Sequence, residues 1–262
     1  MSEALLIDRD ERGVVTLTLN RPEVRNAFDS GLMQTLADAV DDLATDPDVR
    51  VLVLTGAGSV FSAGADLNWM SSLVDYTFEE NVADSRRFEA MLRAVDDFPA
   101  PTVARVNGHA LGGAAGLLGC VDVAVAVRGS LFGFTEVRLG IAPALISAYV
   151  QPRIGAAQAR RYFLTGERFD ADRALHLGLV SEVCEADDLD EVFGRLMTEL
   201  LAAGPRAQRE AKQLIRQIDR LDRDGSRELR LELIARLRVS DEGQEGMHAF
   251  FDKRRPAWVP EG

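Results

Sequence analysis

The sequence has few of the side chains that build metal centres or covalent frameworks, with two cysteines and three histidines among 262 residues. Cys120 and Cys184 are far apart in the chain, so neither a disulfide framework nor a zinc site is indicated. We predict that both are small buried apolar residues, the usual role of free cysteine. The histidines also lack paired spacing, at His109, His176 and His248. The sequence therefore predicts no metal site.

Long apolar runs and an excess of positive charge are also absent. No window approaches the roughly 18 apolar residues that a membrane span requires. The stretch from Met1 to Asp8 lacks the basic region, apolar region and cleavage site of a secretory signal peptide. The formal net charge of −12 at pH 7 repels a polyanion. We expect a cytoplasmic protein that binds neither nucleic acid nor membranes.

What the sequence does contain is an alternation of strand and helix patterns. Apolar residues at helical spacing predict helices over 30–43 and 78–98. Strands that alternate with helices indicate an α/β fold with largely buried parallel strands. The aliphatic runs that predict these strands are 14–19, 50–55, 102–106 and 121–127.

The pattern changes after about Asp187, beyond which it is helical only. We predict a core over 1–187 and a helical C-terminal region over 188–262 that is not an independent domain. Arginines recur in this region between acidic residues, which favours a solvated or subunit-facing surface over a basic binding groove. These arginines are Arg206, Arg209, Arg216, Arg220, Arg223, Arg227 and Arg230.

One glycine-containing loop invites comparison with a dinucleotide-binding motif. Residues 55–61 read Thr-Gly-Ala-Gly-Ser-Val-Phe and follow a predicted strand. Phe61 stands where the third glycine of that motif is required, and Gly-x-Gly alone is a weak signal. We therefore interpret the loop as a tight turn that leaves the sheet.

Two further loops contain small residues that leave the backbone accessible. In the loop over 61–70, residues 63–65 allow a ligand or another backbone to approach closely, and Asp66 can cap the turn that follows. Gly112 and Gly113 lie at another strand-to-helix transition. Two free backbone N–H groups, one of them at a helix start, are the components of an oxyanion hole.

Several stretches of the chain match one known pattern in a fixed order. They are 20–27, 61–67, 106–113, 132–143, 163–166, 174–180 and 245–253. Together they resemble the crotonase family, also called the enoyl-CoA hydratase/isomerase superfamily, over nearly the whole chain. The resemblance implies a spiral of repeated ββα units with a helical C-terminal region that packs on the core and on neighbouring subunits. It also implies homotrimers, often paired into homohexamers.

The resemblance further implies how a substrate binds. Family members place the carbonyl oxygen of an acyl-CoA thioester between two backbone amides, which match Ala63 and Gly113. The nucleotide end of the substrate contacts the stretch that matches Ala65, Asp66 and Leu67, largely through the main chain. Coenzyme A is part of the substrate, and no separate cofactor is implied.

Three more residues match positions near the phosphates and the adenine. They are Arg25, Phe250 and Lys253, of which the last two come from a neighbouring subunit in the family. A local cation suits an acidic protein that binds a polyanionic group. The basic segment 253–255 also fits a solvated tail.

The chain departs from the family at one catalytic position. Hydratases of the best-known type use two glutamates; the second matches Glu136, but Gly116 stands where the first is expected. Hydration requires one proton to be removed from water and one to be delivered to carbon, whereas a double-bond shift needs a single base. The missing acid therefore favours a Δ3,Δ2-enoyl-CoA isomerase. In either reaction we expect burial to raise the pKa of Glu136.

The surrounding residues favour a hydratase. The segments 134–150 and 159–170 resemble bacterial 3-methylglutaconyl-CoA and isohexenylglutaconyl-CoA hydratases, which also have glycine at the position of Gly116. We therefore expect hydration of a 2-enoyl-CoA thioester, with a branched or carboxylated acyl group among the candidates. The isomerase and a non-catalytic acyl-CoA binding protein are the alternatives. Glu89 is a weaker candidate for the missing acid, and Ala144 replaces the aspartate that marks dienoyl-CoA isomerases.

Overall fold

The computed structural model describes residues 3–260 and contains two sheets in this part of the chain. The strands are β1 (Leu5–Arg9), β2 (Val14–Leu19), β3 (Val51–Gly56), β4 (Thr102–Val106), β5 (Ala110–Leu111), β6 (Val123–Val127), β7 (Leu131–Gly133), β8 (Phe169–Asp170) and β9 (Glu182–Cys184). The main sheet has the order β1-β2-β3-β4-β6-β9, and the small sheet has the order β5-β7-β8. Within the main sheet of the described residues, β1 is antiparallel to β2 and all other neighbouring strands are parallel.

Helices connect and follow these strands. They are α1 (Ser30–Ala44), α2 (Leu67–Leu73), α3 (Phe78–Asp97), α4 (Gly113–Leu117), α5 (Ala144–Thr165), α6 (Ala171–Leu177), α7 (Leu189–Ala202), α8 (Pro205–Ile218), α9 (Arg227–Arg238) and α10 (Asp241–Phe251). Local side chains fix several starts: Asp29 caps α1, and Thr77 forms a capping box with Glu80 at the start of α3. The described part therefore has the predicted α/β architecture.

The four predicted strands and both predicted helices are confirmed, with ends that differ by at most two residues. The prediction missed β1 because four of its five residues are exposed, so no buried face marks it in the sequence. It also missed β9 and the short strands β5, β7 and β8, which are all too brief to show a period. The strands β5, β7 and β8 form the small sheet and, as described below, position the candidate site.

The core lies on both faces of the main sheet. Strand β3 is buried along its whole length, and its side chains alternate between two apolar clusters. Leu52 and Leu54 belong to the larger cluster, which includes residues of α1, α3, α4 and α5. Val51 and Val53 pack on the other face with Met197 of α7. The first helix of the C-terminal region therefore completes the core.

Basic residues of α8 dock that helix onto the core. Arg209 donates to the Pro47 and Val49 carbonyls, and Lys212 donates to the Asp122 carboxylate at 2.7 Å. Arg216 pairs with acidic residues at the end of α3. The prediction of a solvated or subunit-facing surface is therefore wrong for Arg209 and Arg216, because both bind groups of their own core.

Two other expectations from the sequence concern the cysteines and membrane-spanning helices. Cys120 and Cys184 are buried and unpaired, as predicted. Within residues 3–260, every helix is too short or too polar to cross a lipid bilayer.

Candidate active site

The loop that precedes α2 is held by a parallel pairing with Phe28. The Phe28 amide donates to the Gly64 carbonyl at 2.7 Å, and the Asp66 amide donates to the Phe28 carbonyl at 2.8 Å. Ala65 lies between Gly64 and Asp66, the two residues that bond to Phe28. In such a parallel bridge, the residue in this middle position directs its own N–H and C=O away from the paired strand. Among residues 3–260, its amide has no hydrogen-bond acceptor.

The structure contradicts the predicted role of Ala63. Its amide donates to the Arg25 carbonyl at 2.9 Å, so it is already paired within the loop. Gly64 has a φ of +91°, in a region that side chains other than glycine rarely adopt, and it breaks the regular alternation of the chain. The accessible amide therefore belongs to Ala65, two residues beyond the predicted position.

The second amide lies at the start of α4. Gly112 has a φ of +52°, which requires glycine, and its own amide donates to the Gly133 carbonyl at 2.8 Å. Gly113 is the first residue of the helix, and its amide has no acceptor within the described residues. A Cβ atom on Gly113 would lie 2.6 Å from the Phe88 ring, so both glycines are needed for separate reasons.

The two amide-bearing loops lie side by side. Ser62 pairs with the start of β5, since its amide donates to the His109 carbonyl and its own carbonyl accepts from Leu111. A Cβ atom on Gly64 would lie 2.5 Å from the Leu111 carbonyl oxygen. Gly64, the residue before Ala65, therefore lies directly against the turn that begins at Gly112.

Glu136 reaches the same turn from the small sheet. Pairing of β5 with β7 places the end of β7 beside Gly112, and a 3-10 turn over Glu136–Leu139 follows. The Oε1 atom of Glu136 lies 3.7 Å from the place that a Cβ on Gly112 would occupy. Its Oε2 atom is buried without a hydrogen-bond partner in residues 3–260.

Burial determines the acidity of Glu136. It raises the pKa of the carboxyl group above the ordinary 4.5, opposed only by a hydrogen bond from the residue's own amide. No charged side chain among residues 3–260 contributes to this change in pKa. The direction of the pKa agrees with the sequence prediction, and a carboxyl group in this environment can both accept and donate a proton.

Space for a second acid on α4 is filled by a side chain of α5. A Cβ atom on Gly116 would lie 2.1 Å from Cγ2 and 2.6 Å from Cβ of Ile146, which is itself buried. The sequence did not reveal this neighbour because it follows far along the chain. Gly116 therefore marks a closed position, where an apolar group replaces the expected carboxylate.

Glu89 is paired elsewhere. Its carboxylate accepts a hydrogen bond from the Tyr149 hydroxyl at 2.8 Å, which links α3 to α5. Burial, followed by this contact with Glu89, raises the pKa of Tyr149 well above its usual range. Glu89 also takes no part in the change in the pKa of Glu136.

Asp66 braces the loop. It is buried, caps α2 by accepting from the Asn68 and Trp69 amides, and binds Arg21 at 2.9 Å. Although burial opposes the charged form, these hydrogen bonds and the Arg21 guanidinium lower the pKa of Asp66. Its side chain is therefore structural. Leu67, the next predicted contact, is 81% exposed at the start of α2.

Arg25 lies at the surface beside this loop. Its φ of +55° is in the left-handed region, and its side chain is exposed without a carboxylate partner in the described residues. The neighbouring Asn26 is buried and donates to the Ala57 and Val60 carbonyls. Asn107 donates to the Gly56 and Gly58 carbonyls on the other side. The loop over 55–61 is therefore a braced turn, as the sequence predicted.

Phe250 and Lys253 lie at the C-terminal end of the described chain, in a different part of the fold. Phe250 is 79% exposed on α10, which packs against α8 and α9, and Lys253 is also exposed. The single chain does not bring either residue to the amides of Ala65 and Gly113. Their predicted contact with a neighbouring subunit's substrate stays a prediction.

Known proteins are similar along the whole chain. A model of the family described as enoyl-CoA hydratase/isomerase matches residues 9–261. The 2,3-dehydroadipyl-CoA hydratase of Escherichia coli is 35% identical and covers 98% of both chains. The trans-2-decenoyl-[acyl-carrier-protein] isomerase of Streptococcus mutans is 31% identical and covers 95% of both. The crystal structure of an enoyl-CoA hydratase from Shewanella pealeana superposes with a TM-score of 0.93 at 38% identity, covering 98% of this chain and 96% of that one. The predicted crotonase-type fold is confirmed.

Proposed function

Because the chain belongs to the enoyl-CoA hydratase/isomerase family, we propose that it adds water to a 2-enoyl-CoA thioester with Glu136 as the only acid and base. Glu136 carries this proposal, since its side chain lies beside Gly112 and its Oε2 atom is buried without a partner in the described part of the chain. A carboxylate oxygen without a hydrogen-bond partner can accept a proton during the reaction. The geometry supports a site with one carboxylate.

In this proposal the amides of Ala65 and Gly113 donate to the thioester carbonyl oxygen. Electron density moves onto that oxygen as the enolate forms, and donors already in place stabilise it without reorganisation. Each such donor contributes about 3 to 4 kcal/mol of transition-state stabilisation. The partial positive charge at the start of α4 acts in the same direction.

Glu136 handles both protons of the addition in turn. As carboxylate, it removes a proton from water while the water oxygen bonds to Cβ and the double-bond electrons move to the thioester oxygen as an enolate. The protonated Glu136 then returns that proton to Cα as the enolate reforms the carbonyl, which gives a 3-hydroxyacyl-CoA. Since one carboxyl group serves both steps, the hydrogen and the hydroxyl group add to the same face of the double bond.

A Δ3,Δ2-enoyl-CoA isomerase is the second candidate function. Closure of the Gly116 position by Ile146 favours it, because a double-bond shift needs no second acid. Glu136 would remove a proton from C2, the amides would stabilise the dienolate, and Glu136 would return the proton at C4. The isomerase among the relatives adds weight to this alternative.

For the substrate we propose a CoA thioester, with a branched or carboxylated acyl group such as 3-methylglutaconyl among the candidates. The dicarboxylic acyl group in the name of the 35% identical hydratase supports the carboxylated class. We further propose that Arg25 contacts the phosphates, that Ala65, Asp66 and Leu67 adjoin the nucleotide end through the main chain, and that trimers or hexamers supply Phe250 and Lys253.

The purified protein tests these proposals in an absorbance assay of the conjugated thioester. Crotonyl-CoA and 3-methylglutaconyl-CoA report hydration by loss of the signal, and 3-hexenoyl-CoA reports isomerisation by its gain. We expect loss of signal that is abolished in Glu136→Gln. Gain from the 3-enoyl substrate alone would establish the isomerase, and no reaction with any of the three would leave an acyl-CoA binding protein.

A further inference from the structure

Helix α2 follows the Ala65 amide directly, yet little of it is fixed to the fold. It has seven residues and none of them is buried. Within residues 3–260, only one hydrogen bond connects a side chain of α2 to another element: the Trp69 indole Nε1 donates to Asp84 Oδ1 of α3 at 3.4 Å. The position of α2 beyond its cap therefore depends on the tryptophan.

Asp84 is itself held firmly. It is 4% exposed, and its Oδ1 atom also accepts from the Ser30 hydroxyl of α1 at 2.9 Å. Arg87 lies 3.5 Å from the same oxygen and balances the buried charge. A buried carboxylate with three partners from α1, α2 and α3 joins these helices at one point, and the proposed reaction makes no use of it.

The same face of α3 also touches the second amide. Asp84 and Phe88 are four residues apart, so they lie on one side of the helix. Phe88 packs against Gly113, at 2.6 Å from the place that a Cβ atom would occupy. One face of α3 thus contacts α2 just after Ala65 and contacts α4 at Gly113.

We propose that Asp84 is a positioning residue, which fixes the Ala65 amide relative to the Gly113 amide by holding Trp69. This inference rests on the proposed role of the two amides as donors to the thioester oxygen. When the indole is released, α2 shifts, and only the Phe28 pairing and the Asp66 cap then hold the Ala65 N–H in the direction in which the enolate oxygen forms. Substrate binding depends on more of the surface, so turnover suffers more than KM.

Trp69→Phe tests the proposal because it removes the N–H and keeps an aromatic ring. We expect kcat to fall about tenfold with little change in KM, a fraction of the 10²- to 10³-fold cost of a complete donor loss. Trp258→Phe is the matched control, since that indole donates to the Ala202 carbonyl of α7. Asp84→Asn keeps an acceptor oxygen and should retain activity, whereas Asp84→Leu should behave as Trp69→Phe does.

Two spectroscopic readouts separate positioning from a general loss of structure. Acetoacetyl-CoA ionises to an absorbing enolate, and we expect Trp69→Phe to weaken the enolate signal of the bound thioester. The chain has two tryptophans, so Trp258→Phe leaves Trp69 as the only indole reporter. In that background Asp84→Leu should shift the emission to longer wavelength, and Asp84→Asn should not.

The outcomes distinguish this inference from the proposed function. Equal kcat and equal enolate signal in Trp69→Phe and Trp258→Phe, with an active wild type, would overturn the positioning role alone. A wild type that turns over no enoyl thioester but forms the enolate, with a weaker signal in Trp69→Phe, would support it without the reaction. A wild type that does neither would overturn both.

Discussion

The segment around α4 connects two polar clusters of opposite character. At its start, Glu136 has a buried oxygen without a partner, and the Gly113 amide is free within the described residues. Beyond its end, the Asp122 carboxylate accepts from the Thr102 amide, the Thr102 hydroxyl and Lys212, at 2.7, 3.0 and 2.7 Å. Polar groups with several hydrogen-bond partners hold this fold together, and polar groups without a partner remain available for chemistry.

The largest expected difference between the clusters is in turnover. Glu136→Gln keeps the shape of the side chain but removes the proton-transfer group, so we expect kcat to fall by about 10²- to 10⁴-fold. Asp122→Asn should leave kcat unchanged, because its contacts lie between β4, β6 and α8. Steady-state kinetics on the same thioester measures both. Equal losses in the two variants would contradict the division into a reactive and a structural cluster.

The closed position on α4 predicts the next effect. Gly116→Ala forces a Cβ atom against Ile146, and we expect a loss of about 3 kcal/mol in the free energy of unfolding. Ile146→Ala should relieve that loss when it is combined with Gly116→Ala. Gly194→Ala in α7 is the control, because a Cβ there meets nothing within 4 Å and should stabilise by about 0.5 to 1 kcal/mol. Urea denaturation measures all three; similar values for Gly116→Ala and Gly194→Ala would show that Ile146 does not fill the site.

A smaller loss of stability is expected in the cluster around Asp122. Lys212→Met leaves Asp122 without its cation, and the side chains of the pair are 10% and 35% exposed. Loss of one partner of a fully buried pair costs about 3 to 5 kcal/mol of stability. Because this pair is partly exposed, we expect a loss of about 2 kcal/mol in the free energy of unfolding. Arg195→Met breaks an exposed pair with Glu191 and should cost less than about 0.5 kcal/mol. If chemical denaturation gave the two variants equal stability, the docking of α8 would not depend on this contact.

The smallest effect concerns the stability cost of the unpaired carboxylate. Burial raises the pKa of Glu136 in the folded state, so wild-type stability falls as pH rises from the ordinary pKa of 4.5 to the raised pKa and is constant above it. Glu136→Gln lacks this titration and should be more stable above it by about 1 kcal/mol, the scale of one unsatisfied buried group. Denaturation curves from pH 4 upward should show a difference between the two proteins that grows from near zero and then levels off. A difference that is constant with pH would mean that Glu136 is not desolvated.

Local patterns were sufficient for most of the main sheet. The strands β2, β3, β4 and β6 are aliphatic runs whose period and burial are properties of a few neighbouring residues. Strand β1 shows no such pattern because its outer residues meet solvent and its pairing partner β2 supplies the register. The division into 1–187 and 188–262 stays a prediction, although α7 completes the core and α8 is docked on it.

Contacts between distant residues decided the details of the site. Residues 63–65 are all small, so composition alone gave no reason to prefer Ala65 over Ala63 as the free amide. The preference comes from the positive φ of Gly64 and from the pairing of its neighbours with Phe28. An aspartate that caps a helix directly after Gly-Ala is the one sequence signal that could have pointed to Ala65.

The sequence by itself determined four strands of the main sheet, the helices α1 and α3, the glycines at the two loops, the place of Glu136 and the absence of a glutamate at Gly116. Only the tertiary structure decided which amide is free, that Ile146 occupies the position of the missing acid, and that the Oε2 atom of Glu136 is buried without a partner among residues 3–260. The reason is physical: periodicity and backbone freedom are properties of neighbours along the chain. Hydrogen-bond saturation and excluded volume depend on groups that only folding brings together.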